Sequence, residues 1–246
     1  MNSGANLKIF PRLKKNRFFW TIKLFLKRSI GRELWLKKEI VLRTEIRGDW
    51  EYCPDYIDKN STVYSLGVGD SIEFDNELIQ AHGCHVHAFD PTPFSVNWIS
   101  NQNTSSKLSF HPWAVSDLDG NMRMIQRENK KGKKSNVMWT EISSHSDCGG
   151  SIEVPVFSVP SIMKKLNHTS ISLIKIDIEG TEYQVIDHMI ENGIFPQQIL
   201  VEYHHRFNDK NKKMTQRSLA NLRNNGYKIF SISETGREVG LIRTNY

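Results

Sequence analysis

Four apolar runs in this sequence end in glycines or titratable side chains, and these endings are where its chemistry is expected. The endings are Gly67 to Asp70, Asp90, Asp177 to Glu179, and Glu202 to His205. Apolar runs of this kind predict buried strands, and the carboxyl ends of parallel strands lie along one rim of a sheet. We therefore expect the four endings to converge on one crevice.

The first two endings indicate a nucleotide-cofactor site. Gly67 and Gly69 permit a sharp turn from strand to helix and a close approach of the backbone to a ligand. Asp90 follows Gly69 by 21 positions and places acceptor oxygens at the tip of a neighbouring strand, within reach of a ribose diol. Two alternatives stay open: the glycines form a plain tight turn, and Asp90 caps the following helix.

The other two endings carry groups suited to acid–base chemistry. Asp177 and Glu179 precede a predicted helix, and Glu202 and His204 follow another apolar run. Alternatively, Asp177 and Glu179 each stabilise the N-terminus of the following helix through the helix dipole, by about 0.3 to 1 kcal/mol. As a further alternative, His204 is an ordinary polar loop residue.

A second group of histidines resembles a set of metal ligands by spacing alone. It consists of His82, Cys84, His85 and His87. We expect structural roles for these residues, because His85 and His87 share one face of a short strand while Cys84 lies in the preceding turn.

Strand and helix patterns alternate along the chain from residue 48 onward. Strands are predicted at 62–67, 85–89, 108–110, 121–126, 152–158, 171–176, 198–203, 227–232 and 237–243, and helices at 72–82, 94–101, 160–167, 181–192 and 214–225. This alternation predicts an α/β fold with a mostly parallel sheet, and the last two runs predict a hairpin that adds an antiparallel strand. The polar stretch 127–150 is predicted to be a mobile loop or lid.

Charge is distributed unevenly along the chain. The net charge is +6 over 246 residues, but residues 1–43 hold 12 of the 33 basic side chains against Glu33 and Glu39 alone. The remainder has 21 basic and 25 acidic residues, which argues against nucleic acid as a partner. We therefore predict a basic helical arm over residues 1–44 and one α/β domain over residues 45–246.

The arm has an amphipathic helix pattern between Phe18 and Val41, with apolar residues at every fourth position and basic side chains between them. The apolar positions are Ile22, Leu26, Ile30 and Leu34. In one interpretation this face packs on the main domain. In another, residues 8–43 lie on an anionic membrane surface.

Cysteine usage indicates a reducing compartment. Cys53, Cys84 and Cys148 are odd in number and lack C-x-x-C spacing. The most apolar stretch near the N-terminus, Phe18 to Leu26, is well short of the roughly 20 residues that span a bilayer, and it lacks the pattern of a secretory signal. We expect a cytoplasmic protein whose only membrane contact is peripheral.

On these motifs the sequence resembles the FkbM-type methyltransferase family, from about Trp50 to the last strands. The matching segments are Ser65–Asp70, Ala88–Pro93, His111–Asp117, Leu173–Gly180 and Val201–His204. The most specific feature is the complete Lys175-x-Asp177-x-Glu179-Gly180 segment. The resemblance implies a Rossmann-like class I methyltransferase fold, with a mostly parallel seven-stranded sheet that contains one antiparallel strand.

The resemblance also implies S-adenosylmethionine as the cofactor, bound over the first two strands. Gly67 and Gly69 would pass close to its methionine portion, and Asp90 would hold its ribose hydroxyls. The segment Ala114–Ser116, with Val115 at its centre, would border the adenine.

Two features depart from the family pattern. Ser65 stands where many such methyltransferases have an acidic residue, and a third glycine is missing at Ser71 and Ile72. Asp70 or Glu73 is expected to bind the amino group of the cofactor in place of the missing acid.

We expect O-methylation of a hydroxyl on a carbohydrate or small metabolite. Methyl transfer from a sulfonium is an in-line displacement, to which positioning contributes about 7 to 11 kcal/mol. A poor nucleophile such as a sugar hydroxyl also needs a base. His204 is the first choice for this base and Asp177 the second, with Glu202 orienting the base or the acceptor. Alternatively, these three side chains hold a divalent metal.

Three other functions stay open at this stage. An NAD-dependent oxidoreductase uses similar glycines and a similar aspartate, but the third glycine is missing and the segment from Lys175 to Gly180 has no obvious task there. The chain could instead be a non-catalytic Rossmann-like binding module. RNA methylation is disfavoured by the mildly acidic main domain.

Overall fold

The computed structural model describes residues 17–128, 134–141, 150–206 and 211–244. Its helices are α1 (Arg17–Ser29), α2 (Glu73–His82), α3 (Pro93–Ser100), α4 (Val159–Leu166), α5 (Glu182–Glu191) and α6 (Lys212–Asn224), with a 3₁₀ turn at Pro54–Tyr56. Its strands are β1 (Glu45–Arg47), β2 (Trp50–Tyr52), β3 (Thr62–Leu66), β4 (His85–Phe89), β5 (Leu108–His111), β6 (Ala114–Ser116), β7 (Gly120–Glu128), β8 (Lys134–Glu141), β9 (Ile152–Ser158), β10 (Leu173–Ile176), β11 (Gln198–Glu202), β12 (Tyr227–Ile232) and β13 (Glu238–Arg243).

The central sheet has seven strands in the order β12-β13-β11-β10-β3-β4-β5. Strands β11, β10, β3, β4 and β5 are parallel, while β13 runs antiparallel to both of its neighbours. The predicted mostly parallel sheet with one antiparallel strand is therefore confirmed. The strand order reverses between β3 and β10, and a crevice at such a reversal is where open α/β sheets bind their ligands.

Both faces of this sheet are buried, because successive strand residues point to opposite sides. Along β11, Ile199 and Val201 belong to one hydrophobic cluster and Leu200 belongs to another. Helices α5 and α6 contribute to the first cluster and α2 contributes to the second. Two-sided burial fixes the strands rigidly, so their carboxyl ends hold side chains in defined positions.

A second sheet, in the order β6-β9-β7-β8, contains part of the stretch that was predicted to be a lid. That prediction is wrong for two parts of residues 127–150, because β7 continues through Glu128 and β8 spans Lys134–Glu141. The strands form because β7 pairs with both β8 and β9 and so satisfies its backbone groups on two sides. Residues 129–133 and 142–149 lie outside the described part of the chain.

The predicted amphipathic helix is shorter than its sequence pattern. Helix α1 ends at Ser29, and the pattern that continues to Val41 is not helical. Gly31 has a φ of 69°, a left-handed conformation that ends helices. Farther along, the amides of Glu39 and Ile40 donate hydrogen bonds to the Ile229 carbonyl, so this part of the arm follows the edge strand β12.

The arm is also anchored by a buried charge. The Glu33 side chain is 1% exposed, and it accepts a hydrogen bond of 3.1 Å from His205 Nε2 and pairs with Arg206. Burial opposes ionisation of Glu33, but these two partners outweigh it and hold the pKa of the carboxyl below its usual value. No helix in the described ranges is both long and apolar enough to cross a bilayer.

Three histidines form an aromatic cluster around Tyr64. His168 Nδ1 lies 2.8 Å from the Tyr64 hydroxyl, and His87 Nδ1 lies 3.1 Å from His111 Nε2. Burial, together with the neighbouring histidines, lowers the pKa of His87 to about 4. His82 Nε2 contacts the Tyr52 hydroxyl at 2.7 Å, so both His82 and His87 contact groups of the protein.

Two of the three cysteines are buried free thiols. Cys53 and Cys84 are fully buried, and burial raises the pKa of Cys84 to about 11. Cys148 lies in a segment that the structure does not describe.

Candidate active site

A cavity of about 310 Å³ opens at the strand-order reversal. Its walls come from the turn after β3, the ends of β4 and β10, and strands of the second sheet, which include β6. The residues that line the cavity include Gly67, Gly69, Asp70, Glu73, Asp75, Asp90, Trp113, Ala114, Val115, Met122, Met124, Trp139, Lys175, Asp177 and Glu179. The volume is at the lower end of the range for small-molecule sites, about 300 to 1,000 Å³.

The turn after β3 is shaped by the contact between β3 and β10. Gly67 and Gly69 have φ values of 83° and 58°, both in the left-handed region. A Cβ added to Gly67 would overlap the backbone carbonyl of Asp177. The close approach that the sequence predicts at Gly67 is therefore one between two strand ends, and it brings the turn against the candidate catalytic segment.

Asp90 braces this turn. Its Oδ2 accepts hydrogen bonds from the amides of Val68 and Gly69 at 3.0 and 2.9 Å. Its Oδ1 accepts from the amide and the hydroxyl of Thr92 at 2.9 and 2.7 Å. Each oxygen thus already accepts two hydrogen bonds, which fills the carboxylate's roughly four lone-pair positions. Asp90 lines the cavity as predicted, but in this structure its hydrogen bonds hold the loop.

A buried pair of opposite charges lies behind the same turn. Lys175 Nζ donates a hydrogen bond of 2.9 Å to the Gly67 carbonyl and lies 5.3 Å from the centre of the Trp50 ring. Asp75 is 2% exposed, and burial raises the pKa of its carboxyl, although the nearby Lys175 opposes that effect. An acidic side chain therefore lies near Ser65, supplied by α2 instead of β3.

The ends of β10 and β11 bring three carboxylates around one imidazole. His204 Nε2 lies 3.9 Å from the nearest oxygens of Asp177, Glu179 and Glu202. Glu179 takes a left-handed φ of 52°, unusual for a residue with a side chain. We call Asp177, Glu179, Glu202 and His204 the acidic cluster. Asp177 and Glu179 line the cavity, whereas His204 is 5% exposed and lies behind them.

Glu182 fixes the orientation of His204. This carboxylate is fully buried and accepts hydrogen bonds from the amides of Gly180 and His204, both at 2.8 Å. Its Oε1 also lies 3.5 Å from His204 Nδ1. The second ring nitrogen, Nε2, consequently faces Asp177 and the rest of the acidic cluster.

The cluster shifts the protonation of its own members. Burial raises the pKa of Glu202 to about 7, reinforced by the charges of Asp177 and Glu238 and opposed by Arg237. Burial alone would lower the pKa of His204, but the hydrogen bond to Glu182 and the surrounding carboxylates outweigh it and raise that pKa. His204 is therefore protonated over a wider pH range than a free histidine.

All nine predicted site residues lie at this end of the sheet. Seven line the cavity: Gly67, Gly69, Asp70, Asp90, Ala114, Val115 and Asp177. The other two, Glu202 and His204, lie behind Asp177 in the acidic cluster. The sequence indicated Glu202, with Asp177 and His204, as an alternative ligand of a divalent metal. In the structure, the possible ligand atoms that lie within 4.8 Å of one another belong to Asp177, Glu179 and His204.

Two groups of site residues were not predicted from the sequence. Asp75 and Glu182 are in the first turns of helices, where carboxylates are common for electrostatic reasons alone. Met122 and Trp139 reach the cavity from the second sheet, whose pairing is long-range. The one usable signal was Lys175, a charged residue inside an otherwise apolar strand.

The sheet order and the cavity at its reversal define a Rossmann-like α/β fold. A model of the FkbM methyltransferase domain matches residues 67–229, about two thirds of the chain. The chain therefore belongs to the FkbM methyltransferase family.

Individual relatives are distant. The human protein named "Probable methyltransferase-like protein 24" is 24% identical over 149 residues, which cover 59% of this chain and 33% of that protein. The chain thus spans about a third of the length of this curated relative. Among solved structures, a fibrillarin pre-rRNA processing protein from Methanococcus jannaschii matches 87% of both chains at 11% identity, with a TM-score of 0.45. The protein WbdD matches 97% of this chain and 42% of its own at 11% identity, with a TM-score of 0.39.

Proposed function

We propose that this methyltransferase uses S-adenosylmethionine to methylate a hydroxyl group on a carbohydrate or small metabolite. The observation that carries the proposal is a single cavity that joins the glycine turn after β3 to Asp177 and Glu179 of the acidic cluster. Cofactor and acceptor can therefore meet in one enclosed space.

The residues of the cavity fit this cofactor. Trp113, Met122 and Trp139 supply apolar and aromatic surface for an adenine. Asp70 is an exposed carboxylate on the turn and suits the ammonium of the methionine portion. Asp90 holds the loop amides of Val68 and Gly69 in place, which keeps the glycine turn in a fixed shape for the cofactor. When bound, S-adenosylmethionine supplies an electrophilic methyl group on a sulfonium.

The chain's main tasks are to position the acceptor and to receive its proton. Asp177 lines the cavity and is 32% exposed, so we assign it the contact with the acceptor hydroxyl. His204 is buried behind it and its pKa is raised, so a smaller fraction of its imidazole is unprotonated and able to accept a proton than in a free histidine at the same pH. We therefore assign His204 and Glu202 as positioning residues that hold Asp177. This reverses the order of preference that the sequence alone favours.

Cofactor binding is the first test. Calorimetric titration of the folded chain with S-adenosylmethionine and with its demethylated product should give binding at one site. Absence of binding of both would remove the proposal. Thermal protection by NAD in its place would favour the oxidoreductase, although family membership makes methyl transfer the activity to test first.

Acceptor chemistry is the second test. A panel of glycans and small hydroxyl compounds is incubated with labelled S-adenosylmethionine and one of three proteins: wild type, Asp177→Asn or Glu191→Gln. Asp177→Asn should retain cofactor binding and lose about 100-fold or more in kcat. Glu191→Gln changes an exposed carboxylate on α5 and should match wild type. Full activity of Asp177→Asn on a confirmed acceptor would contradict its assigned role.

We also propose that α1 contacts an anionic membrane surface. Phe25, Leu26 and Ile30 are more than half exposed. Lys23, Lys27 and Arg28 are interspersed with them, and this combination of apolar and basic side chains suits the headgroup region.

Vesicle co-sedimentation tests this contact. The double variant Phe25→Ser, Leu26→Ser should bind phosphatidylserine-containing vesicles much more weakly than wild type does. The control, Val41→Ser, changes a side chain that is 92% exposed but outside the helix, and it should bind like wild type. Equal binding by all three proteins would reject the role of α1.

A further inference from the structure

The acidic cluster concentrates negative charge around one nitrogen. Asp177, Glu179 and Glu202 each place an oxygen 3.9 Å from His204 Nε2. These separations are longer than the 2.7 to 3.2 Å of an N–H···O hydrogen bond. These gaps separate the imidazole from all three carboxylates, and the Glu202 carboxylate also pairs with Arg237 Nη1 at 2.6 Å.

The separations agree with the size of a bound divalent cation. Ligand nitrogens and oxygens lie about 2.0 to 2.2 Å from ions such as Zn²⁺ or Mg²⁺. Two ligands of one ion are consequently about 3 to 4.4 Å apart, depending on the angle between them. One atom each from Asp177, Glu179 and His204 lies within 4.8 Å of the other two, so modest side-chain movement brings all three onto one ion.

The histidine is oriented as a metal ligand. A ligating imidazole almost always directs its other nitrogen toward a carboxylate or carbonyl, which fixes the tautomer. Glu182 provides that partner at 3.5 Å from His204 Nδ1, and two backbone amides fix Glu182 in turn. The left-handed backbone of Glu179 is a second local adjustment in the segment that supplies the carboxylates.

We propose that Asp177, Glu179 and His204 bind one divalent cation and that the acceptor hydroxyl completes its coordination from the cavity. Mixed imidazole and carboxylate ligands suit Mn²⁺ or a similar transition ion better than Ca²⁺. This inference rests on the proposed methylation of a hydroxyl, since the ion would lower the pKa of the bound hydroxyl. The hydroxyl oxygen forms the bond to the methyl carbon, the carbon–sulfur bond breaks, and the hydroxyl proton passes to the Asp177 oxygen that does not bind the ion.

Ion binding is measured directly on the full chain after treatment with EDTA. Titration with Mn²⁺, followed by electron paramagnetic resonance of the free ion, should show one saturable site per chain. Asp177→Asn, Glu179→Gln and His204→Gln should each weaken binding at least 10-fold, and Glu182→Gln by about 10- to 100-fold. The control Glu73→Gln removes a carboxylate that lines the same cavity but lies outside the acidic cluster, and its affinity should equal that of wild type.

Circular dichroism identifies variants that fail to fold, and the inference is then judged on the remaining ones. It is overturned when folded wild type binds no Mn²⁺, or when the folded ligand variants bind it as tightly as Glu73→Gln does. Binding of S-adenosylhomocysteine is measured on the same EDTA-treated sample. If the sample binds the cofactor but not the ion, only the metal site is overturned. If it binds the ion but not the cofactor, the metal site is supported and the result counts against the proposed transferase reaction.

Discussion

Gly67 is required for a reason that its motif does not reveal. Its φ of 83° would strain any side chain, and a Cβ at this position would also overlap the Asp177 carbonyl. Gly193 separates these two effects, because its φ is 68° and no described atom lies within 4 Å of an added Cβ.

We expect Gly193→Ala to lower the free energy of unfolding by about 1 kcal/mol, the cost of a left-handed alanine. Gly67→Ala should cost about 3 kcal/mol or more, because overlap with the backbone is added to that strain. Urea denaturation of both variants measures the difference. Equal losses would show that the contact with Asp177 has no energetic consequence.

At the level of residues, the sequence predicted which side chains meet but not how they act. Asp177 and His204 were predicted because each follows an apolar run. The role of Glu182 was not predictable, because it depends on the amide of His204 lying 2.8 Å away across 22 positions of sequence. The carboxylates that raise the pKa of His204 likewise come together only in the folded chain.

Among the elements, the arm contacts the domain through the buried carboxylate of Glu33. Replacing it with glutamine leaves His205 and Arg206 without a counter-charge in a largely buried site. We expect Glu33→Gln to lower the free energy of unfolding by about 3 kcal/mol. Glu191→Gln, on an exposed surface, should change it by less than about 0.5 kcal/mol.

Chemical denaturation provides both values, and limited proteolysis of residues 17–44 reports whether the arm detaches first. An unchanged denaturation midpoint for Glu33→Gln would mean that the edge contact of Glu39 and Ile40 with Ile229 holds the arm without it.

The strands of the central sheet were predictable and those of the second sheet were less so. Runs such as residues 199–201 are buried on both faces, and their continuous apolar character is visible in the sequence. Strand β8, within Lys134–Glu141, begins with polar residues and is stabilised by pairing with β7. Such pairing depends on the partner strand and has no local sequence signal.

For the molecule as a whole, the histidine cluster makes stability depend on pH. An unfolded histidine has a pKa of about 6.5, whereas the pKa of the half-buried His87 is about 4. Between these values the unfolded chain binds more protons, so acidification favours unfolding. This contribution is fully present above pH 6.5 and is lost progressively as the pH falls toward 4.

We expect wild type to lose about 1 kcal/mol through His87 between pH 7 and pH 5, less than the full pKa difference implies because solvent screens the half-buried ring. His87→Gln should lack most of this loss, even where its stability at pH 7 is lower. His85→Gln changes an exposed histidine on the same strand and should keep the pH dependence of wild type. Denaturant titrations at the two pH values test this, and parallel pH dependence for wild type and His87→Gln would contradict it.

The two buried thiols can report the order in which two regions of the protein open. At pH 8 a thiol with a pKa near 11 is about one-thousandth thiolate, so Cys84 reacts with an alkylating reagent only when its surroundings open and deprotonation becomes easy. Cys53 lies elsewhere. Its backbone amide donates a hydrogen bond to Gln198 Oε1, and its carbonyl accepts one from Gln198 Nε2. In a Cys148→Ser background, the order in which iodoacetamide labels the two thiols would reveal whether the β2 segment detaches from β11 before the β3–β4 region comes apart.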